Sequence, residues 1–332
     1  MPHPRVVVTN RAFPQTLDLL TAHCDLLANH GEEPWPRPEL LRVAADAQGL
    51  LAFMPDCIDE AFLDHCPDLK VIACALKGYD NFDLSACTRR GIWLSIVPDL
   101  LTEPTAELAV GLAIGLGRHI ASSDRRAREG GFAGWRPTFY GRSLDGSCVA
   151  IIGAGRVGRA IARKLAGFDC ELLMVDALRS EPAPSNARFA ELAEALSRAH
   201  FVFLAVPLDA GTQHMVDAAW LASLRPGALL VNPARGSVVV ESAIADALLD
   251  GRLGGYAADV FECEDWARVD RPGGIEPRLL ALPQRTLFTT HIGSAVHEVR
   301  AAIEYDAALN LLEGLRGERP HGAINDPVRR RP

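Results

Sequence analysis

The chain is poor in lysine. Only Lys70, Lys77 and Lys164 stand among its 332 residues, against 31 arginines. Arginine is therefore this sequence's ordinary cation, and a lysine in a functional loop carries weight. Positive charge is in deficit overall, with a formal net charge of −8. That excludes a general nucleic-acid surface, which needs clustered cations to neutralise phosphates. Arg329, Arg330 and Arg331 near the C-terminal end read as a solvated tail. The eight cysteines (24, 57, 66, 74, 87, 148, 170, 263) contain no CxxC pair and no metal-ligand spacing. No metal is expected, and they read as reduced, mostly buried thiols of a cytoplasmic protein. No charged-then-apolar leader opens the chain, so nothing signals secretion. Long hydrophobic runs are missing too. The most apolar stretch, 106–120, is interrupted by Glu107 and Arg118 and is too short to span a bilayer, so no membrane partner is expected. Its spacing predicts a long buried helix, started by Thr102 with Pro104 in the first turn. There is no repeat at solenoid period and no low-complexity segment.

What is present is ordinary globular material, 48% hydrophobic and 23% charged, with length for two domains. Its most informative feature is Gly153-Ala154-Gly155-Arg156-Val157-Gly158, directly after the apolar run 149–152. Eighteen residues past the last glycine, Leu172-Leu173-Met174-Val175 ends in Asp176. The order is strand, glycine turn, helix, strand, acid. Glycines let the backbone turn tightly and approach a pyrophosphate, which the next helix's N-terminal N–H groups can bind. Asp176 would accept hydrogen bonds from the adenosine ribose. A dinucleotide site is expected. Asp176 favours NAD, because a 2′-phosphate beside an ionised carboxylate is repelled; Arg179, three residues on, would offset part of that repulsion.

Short β-rich runs recur through the first hundred residues at 6–8, 50–53, 71–73 and 92–94. Helix-compatible stretches separate them, the pattern of a parallel sheet with crossover helices. The dinucleotide unit supplies further strands at 149–152, 172–175, 201–205, 228–231, 255–260 and 286–289. The segment 296–315 is helix-like with no later strand to join, and is expected to pack back on the first unit. The fold class expected is α/β, two Rossmann-like domains with parallel sheets. A dinucleotide-binding domain, 101–293, is inserted into a discontinuous flavodoxin-like substrate domain, 1–100 and 294–332.

Three residues follow strands of the cofactor unit and suit hydride transfer. Arg235 lies in Asn232-Pro233-Ala234-Arg235-Gly236, Glu264 in 259–264 (DVFECE), and His291 in Thr290-His291-Ile292-Gly293. The chemistry needs a cation for an anionic substrate, a base, and an acid to orient that base. Arginine's rigid fork binds two oxyanions at once. Histidine titrates near neutral pH, and a carboxylate on its far nitrogen sets the tautomer. On spacing alone Glu262 rivals Glu264.

Taken together, these motifs resemble the D-2-hydroxyacid dehydrogenase family over essentially the whole chain. The resemblance implies Arg235, Glu264 and His291 as the catalytic set and a homodimer built through the NAD-binding domains. It extends the cofactor contacts from Gly153, Gly155, Arg156, Val157, Gly158 and Asp176 to Thr105, Val206, Pro207, Thr212, Ala234, Asp259, His291 and Gly293.

The substrate must be read elsewhere. Typical members place a glycine-rich loop, with N–H groups for a carboxylate, where this chain has Ala75-Leu76-Lys77-Gly78-Tyr79-Asp80-Asn81-Phe82-Asp83. That run, with 53–56 (FMPD), 97–101 (VPDLL), Gly134-Trp135, 139–141 and 254–271, is similar to the phosphite-oxidising (phosphonate dehydrogenase) branch of the family. The branch implies that Lys77 and Arg235 grip phosphite, beside Gly78, and that Met54, Trp135, Tyr140, Ser294 and Arg300 line or support the pocket. The expected reaction is NAD-dependent oxidation of phosphite to phosphate, with His291 and Glu264 as the general-base pair. The alternatives are a glyoxylate or hydroxypyruvate reductase and, in another class, a nucleotide-sensing corepressor-like module.

Overall fold

The structure is a computed structural model that describes residues 3–179 and 181–327. The arginines at 329–331 lie outside the described residues. The chain divides into two compact units. The first runs through Leu101, takes in Trp266–Val269, and resumes at Ala295. The second comprises Thr102–Asp265 and Asp270–Ser294.

The first unit is built on five parallel strands: β1 (Arg5–Val8), β2 (Asp25–Ala28), β3 (Gly49–Ala52), β4 (Val71–Cys74) and β5 (Trp93–Ser95). Their order is β2-β1-β3-β4-β5, the flavodoxin-like arrangement. Val7 sits in register with Leu27 on one side and Leu50 on the other. The central strands β3 and β4 are buried throughout, as apolar strands covered on both faces must be. One face is covered by Leu40, Val43, Phe62, Leu63 and Cys87. The other is covered by the helix His297–Leu315, whose Ile303, Ala307, Leu311 and Leu312 pack on Val6, Val8, Leu51, Val71 and Ala73. Each large side chain so buried contributes about 1.5–3 kcal/mol.

The second unit has seven parallel strands: β6 (Cys148–Ile152), β7 (Glu171–Val175), β8 (Ala187–Phe189), β9 (Phe201–Leu204), β10 (Ala228–Asn232), β11 (Leu253–Ala258) and β12 (Thr286–Phe288). The order β12-β11-β10-β9-β6-β7-β8 reverses direction between β6 and β9. That is the Rossmann switch point, and ligands in such sheets sit beyond the carboxyl ends of those strands. The helix Thr102–Gly117 packs against the helix Arg156–Lys164 and against β10 and β11. It stops at Gly117, and His119, at φ 53°, starts a separate helix, Ile120–Arg128. The apolar stretch therefore ends its helix three residues before Ile120.

Two strands had no counterpart in the sequence reading. Both β2 (Asp-Leu-Leu-Ala) and β8 (Ala-Arg-Phe) are sheet edges. Neither is fully buried and neither contains a β-branched residue, so both the hydrophobic run and the propensity signal are weak. Among the described residues, no helix is long and apolar enough to cross a membrane.

Candidate active site

At the end of β6, Gly153 adopts φ 106°. A Cβ there would be strained by the backbone and would overlap the Ala205 carbonyl just beyond β9, so only glycine fits. Space around Gly155 is open, and the helix Arg156–Lys164 begins immediately after it. Asp176 follows β7. Its Oδ2 accepts from Ala154 N at 2.6 Å, and its Oδ1 from Leu178 N at 2.8 Å. Partial burial would raise its pKa, but bonds from the Ala154, Leu178 and Arg179 amides and the Arg159 charge outweigh this and hold it below the ordinary carboxylate range. Arg179's guanidinium turns elsewhere, pairing with Glu191 at 2.6 Å and lying 5.5 Å from the Phe189 ring centre. It does not offset Asp176 as the sequence suggested. Beyond β9, Thr212 donates to the Pro207 carbonyl at 2.6 Å and shapes the loop that carries Val206. Glycine clearance, a helix N-terminus and an ionised carboxylate fit NAD at the switch point.

The catalytic candidates come from three loops past β10, β11 and β12. Asn232 closes β10; its Nδ2 donates to the Arg235 carbonyl at 2.9 Å and its Oδ1 accepts from Ala234 N at 3.1 Å. That turn sets the backbone of Ala234 and half-buried Arg235. Gly236 lies so close to the next loop that a Cβ would overlap the Phe261 carbonyl. In that loop Glu264 Oε1 accepts from Phe261 N at 2.7 Å, while its Oε2 lies 2.6 Å from His291 Nδ1. A carboxylate only accepts, so this bond puts the proton on Nδ1 and leaves the Nε2 lone pair available as a base. Glu262, the rival on spacing, is taken by a different histidine: its Oε1 lies 2.8 Å from His214 Nε2.

His291 adopts φ 56°, the left-handed region. Buried Asp259 holds this turn. Its backbone carbonyl accepts from His291 N at 2.8 Å, Oδ1 from Ile292 N at 2.8 Å and from the Thr289 hydroxyl, and Oδ2 from Gly293 N at 2.8 Å. Gly293 also faces Thr105. Asp259, expected as a cofactor contact, thus has both carboxylate oxygens engaged in shaping the histidine turn.

In the first unit, half-buried Lys77 and Gly78 stand in the loop after β4. Arg300 donates to the Ala75 carbonyl at 3.1 Å, two residues before Lys77, and pairs with Glu304 at 3.4 Å. Asn81 Nδ2 donates to the Met54 carbonyl at 3.2 Å, tying the loop after β3 to the Lys77 loop. Met54, Lys77 and Arg300 are therefore brought to one end of this sheet. In the second unit Trp135 is 77% exposed and Tyr140 78%. Ser294 is half-buried at that unit's end.

Residues 110–293 match the model of the D-isomer specific 2-hydroxyacid dehydrogenase, NAD binding domain. This chain belongs to that family. The glyoxylate reductase of Pyrococcus furiosus is 35% identical over 334 residues, covering 98% of this chain and 96% of the relative. That of Thermofilum pendens is 35% identical over 336 residues, covering 99% and 96%. The crystal structure of the TT0316 protein from Thermus thermophilus superposes with a TM-score of 0.86 at 33% identity, covering 97% of this chain and all of that one. The NADPH-dependent glyoxylate/hydroxypyruvate reductase of Sinorhizobium meliloti, in complex with citrate, gives 0.82 at 26%, covering 99% and 100%.

This dehydrogenase is thus an NAD-binding oxidoreductase, and its fold is that of the resemblance read from sequence. The two curated relatives carry the glyoxylate reductase name, not that of the phosphite branch. Sequence reasoning missed three contributors: Asn232 as turn former, Asp259 as the brace under His291, and His214 as the partner of Glu262. Asn232 and Asp259 had one signal, a short polar side chain at the end of a buried strand or directly after it. His214 had none, because its partner is 48 residues away.

Proposed function

We propose that this dehydrogenase oxidises phosphite to phosphate with NAD as acceptor. The observation that carries the reading is Lys77, one of three lysines, in a loop where typical relatives present backbone N–H groups. A second fixed cation suits phosphite, which is largely a dianion near neutral pH, whereas a hydroxy acid carries one negative charge. At about 4 Å and an effective dielectric near 20, each charge pair is worth roughly 4 kcal/mol before desolvation. NAD, when bound, supplies the hydride acceptor. Arg235 and Lys77 hold the phosphoryl oxygens, where charge concentrates as water adds to phosphorus. His291 Nε2 takes the proton from that water, and Glu264 stabilises the resulting imidazolium. One hydride leaves phosphorus as one P–O bond forms, so phosphite, water and NAD yield phosphate, NADH and a proton.

A second reading, reduction of glyoxylate or hydroxypyruvate, draws on the names of the relatives, and the comparisons support it better than the first. One measurement separates them. NADH absorbance is followed with phosphite, D-lactate and D-glycerate in the oxidative direction and with glyoxylate in the reductive direction. Phosphite alone should give rapid signal, and Lys77→Ala should lower that rate by about a hundredfold or more. Turnover of glyoxylate without phosphite would establish the second reading, and near-normal phosphite turnover by Lys77→Ala would sink the anion clamp.

A further inference from the structure

Glu264 and Arg235 stand on loops that share a second set of bonds, none of it directed at a substrate. Glu241 is only 2% exposed, yet both its oxygens are engaged. Oε1 accepts from Glu262 N at 2.8 Å and Oε2 from Glu276 N at 2.9 Å. Glu262 returns the bond, its Oε2 accepting from Glu241 N at 3.0 Å, and its other oxygen meets His214 Nε2. His214, at φ 53°, donates its own N–H to the Ser237 carbonyl at 2.7 Å, two residues past Arg235. Gly236 presses directly on the Phe261–Glu262 backbone. Three segments (214, 235–241 and 261–264) therefore meet in one closed hydrogen-bonded ring, and a fourth, at 276, is tied to it through Glu241.

We propose that Glu241, Glu262 and His214 are positioning residues. They fix the 262–264 turn so that Glu264 meets His291, and they lock that turn to the loop bearing Arg235. One buried carboxylate, Glu241, beside a half-buried one, Glu262, is an expensive way to hold a turn, because both must be at least partly desolvated. A carboxylate nevertheless has two acceptor oxygens: Glu241 uses both on backbone N–H groups, and Glu262 uses one on a backbone N–H and one on His214. Glutamine at 241 offers only one acceptor oxygen, so one of the two amides it serves loses its partner. The inference rests on the dehydrogenase roles given to Arg235, Glu264 and His291, but not on which substrate is used.

The test has one readout that needs no substrate. In protein labelled with 15N-histidine, a ring proton shared at 2.6 Å with a carboxylate resonates far downfield. The His291 signal is identified by its loss in His291→Asn. Glu241→Gln and His214→Asn should weaken or abolish that signal while NADH still binds. They should also lower kcat by about ten- to a hundredfold, the scale of a misplacement near 1 Å, with the KM for NAD unchanged. If Glu241→Gln does not fold, His214→Asn alone decides. An unchanged His291 signal and an unchanged kcat in the folded variants overturn the proposal. A wild-type protein inert toward both phosphite and glyoxylate would sink the proposed function instead, while the downfield signal still reports on positioning.

Discussion

Asp176 serves the structure of the glycine turn, and a role in cofactor selection is what we propose for it. Its carboxylate braces the glycine turn through Ala154 N, and the proposal is that the same charge disfavours a 2′-phosphate. The Arg179 guanidinium is paired with Glu191, while the Arg159 charge and three backbone amides keep the Asp176 carboxylate ionised. Asp176→Ala should therefore raise kcat/KM for NADP relative to NAD by at least about tenfold, a modest part of one charge-pair energy. Comparable efficiency of the wild type with both cofactors would remove the basis for an NAD preference. At this scale the sequence was most legible where a function needs a fixed spacing: glycine fingerprint to Asp176, and Glu264 as one of two candidates. Spacing alone could not choose between Glu262 and Glu264, and the family resemblance made the choice of Glu264; two residues apart on a tight turn, they face different histidines. Nor could it find Glu241, whose partners are brought to it by folding.

Among the elements, the long helix His297–Leu315 holds the segment after it through a pH-sensitive tie. Past its end, His321 lies 3.0 Å from Glu313 and 3.1 Å from Asp306. Burial alone would lower its pKa, but the bonds to Glu313 and Asp306 and their charges outweigh this, and the net shift is upward. A folded value above the unfolded one means that the stabilisation is complete below the unfolded pKa and fades as pH rises through the folded one. The difference in urea midpoint between wild type and His321→Gln should be larger at about pH 6 than at about pH 8. Equal differences would show that the tie does not depend on protonation. Strands and helices were readable where burial imposes a period or an apolar run, as in β3, β4, β6 and β9. The edges β2 and β8 escaped because their pairing partner, not their composition, makes them strands.

For the molecule as a whole, the fold class followed from alternating β and α signals, while substrate identity did not follow from the fold, since members of one family accept different acids. The remaining expectation at this scale is assembly. Phe132 (69% exposed), Trp135 and Tyr140 present apolar surface on the NAD-binding unit. We propose a homodimer through that unit. Sedimentation at micromolar concentration should give twice the mass of one chain, and Phe132→Glu with Trp135→Glu should shift it toward the monomer. A monomeric wild type, or a dimer indifferent to both changes, would place the partner surface elsewhere or nowhere. The placement of His297–Leu315 also bears on how the chain is made. The sheet face formed by Val6, Val8, Leu51, Val71 and Ala73 is complete in sequence before the NAD-binding unit begins, but the helix His297–Leu315 that covers it is synthesised after that unit. At roughly 5–20 residues per second, the ribosome takes on the order of 10–40 s to reach it. For that interval the nascent first unit carries an apolar face with only part of its native cover, that from Leu17, Leu20 and Cys24, a window in which chaperone binding would compete with aggregation.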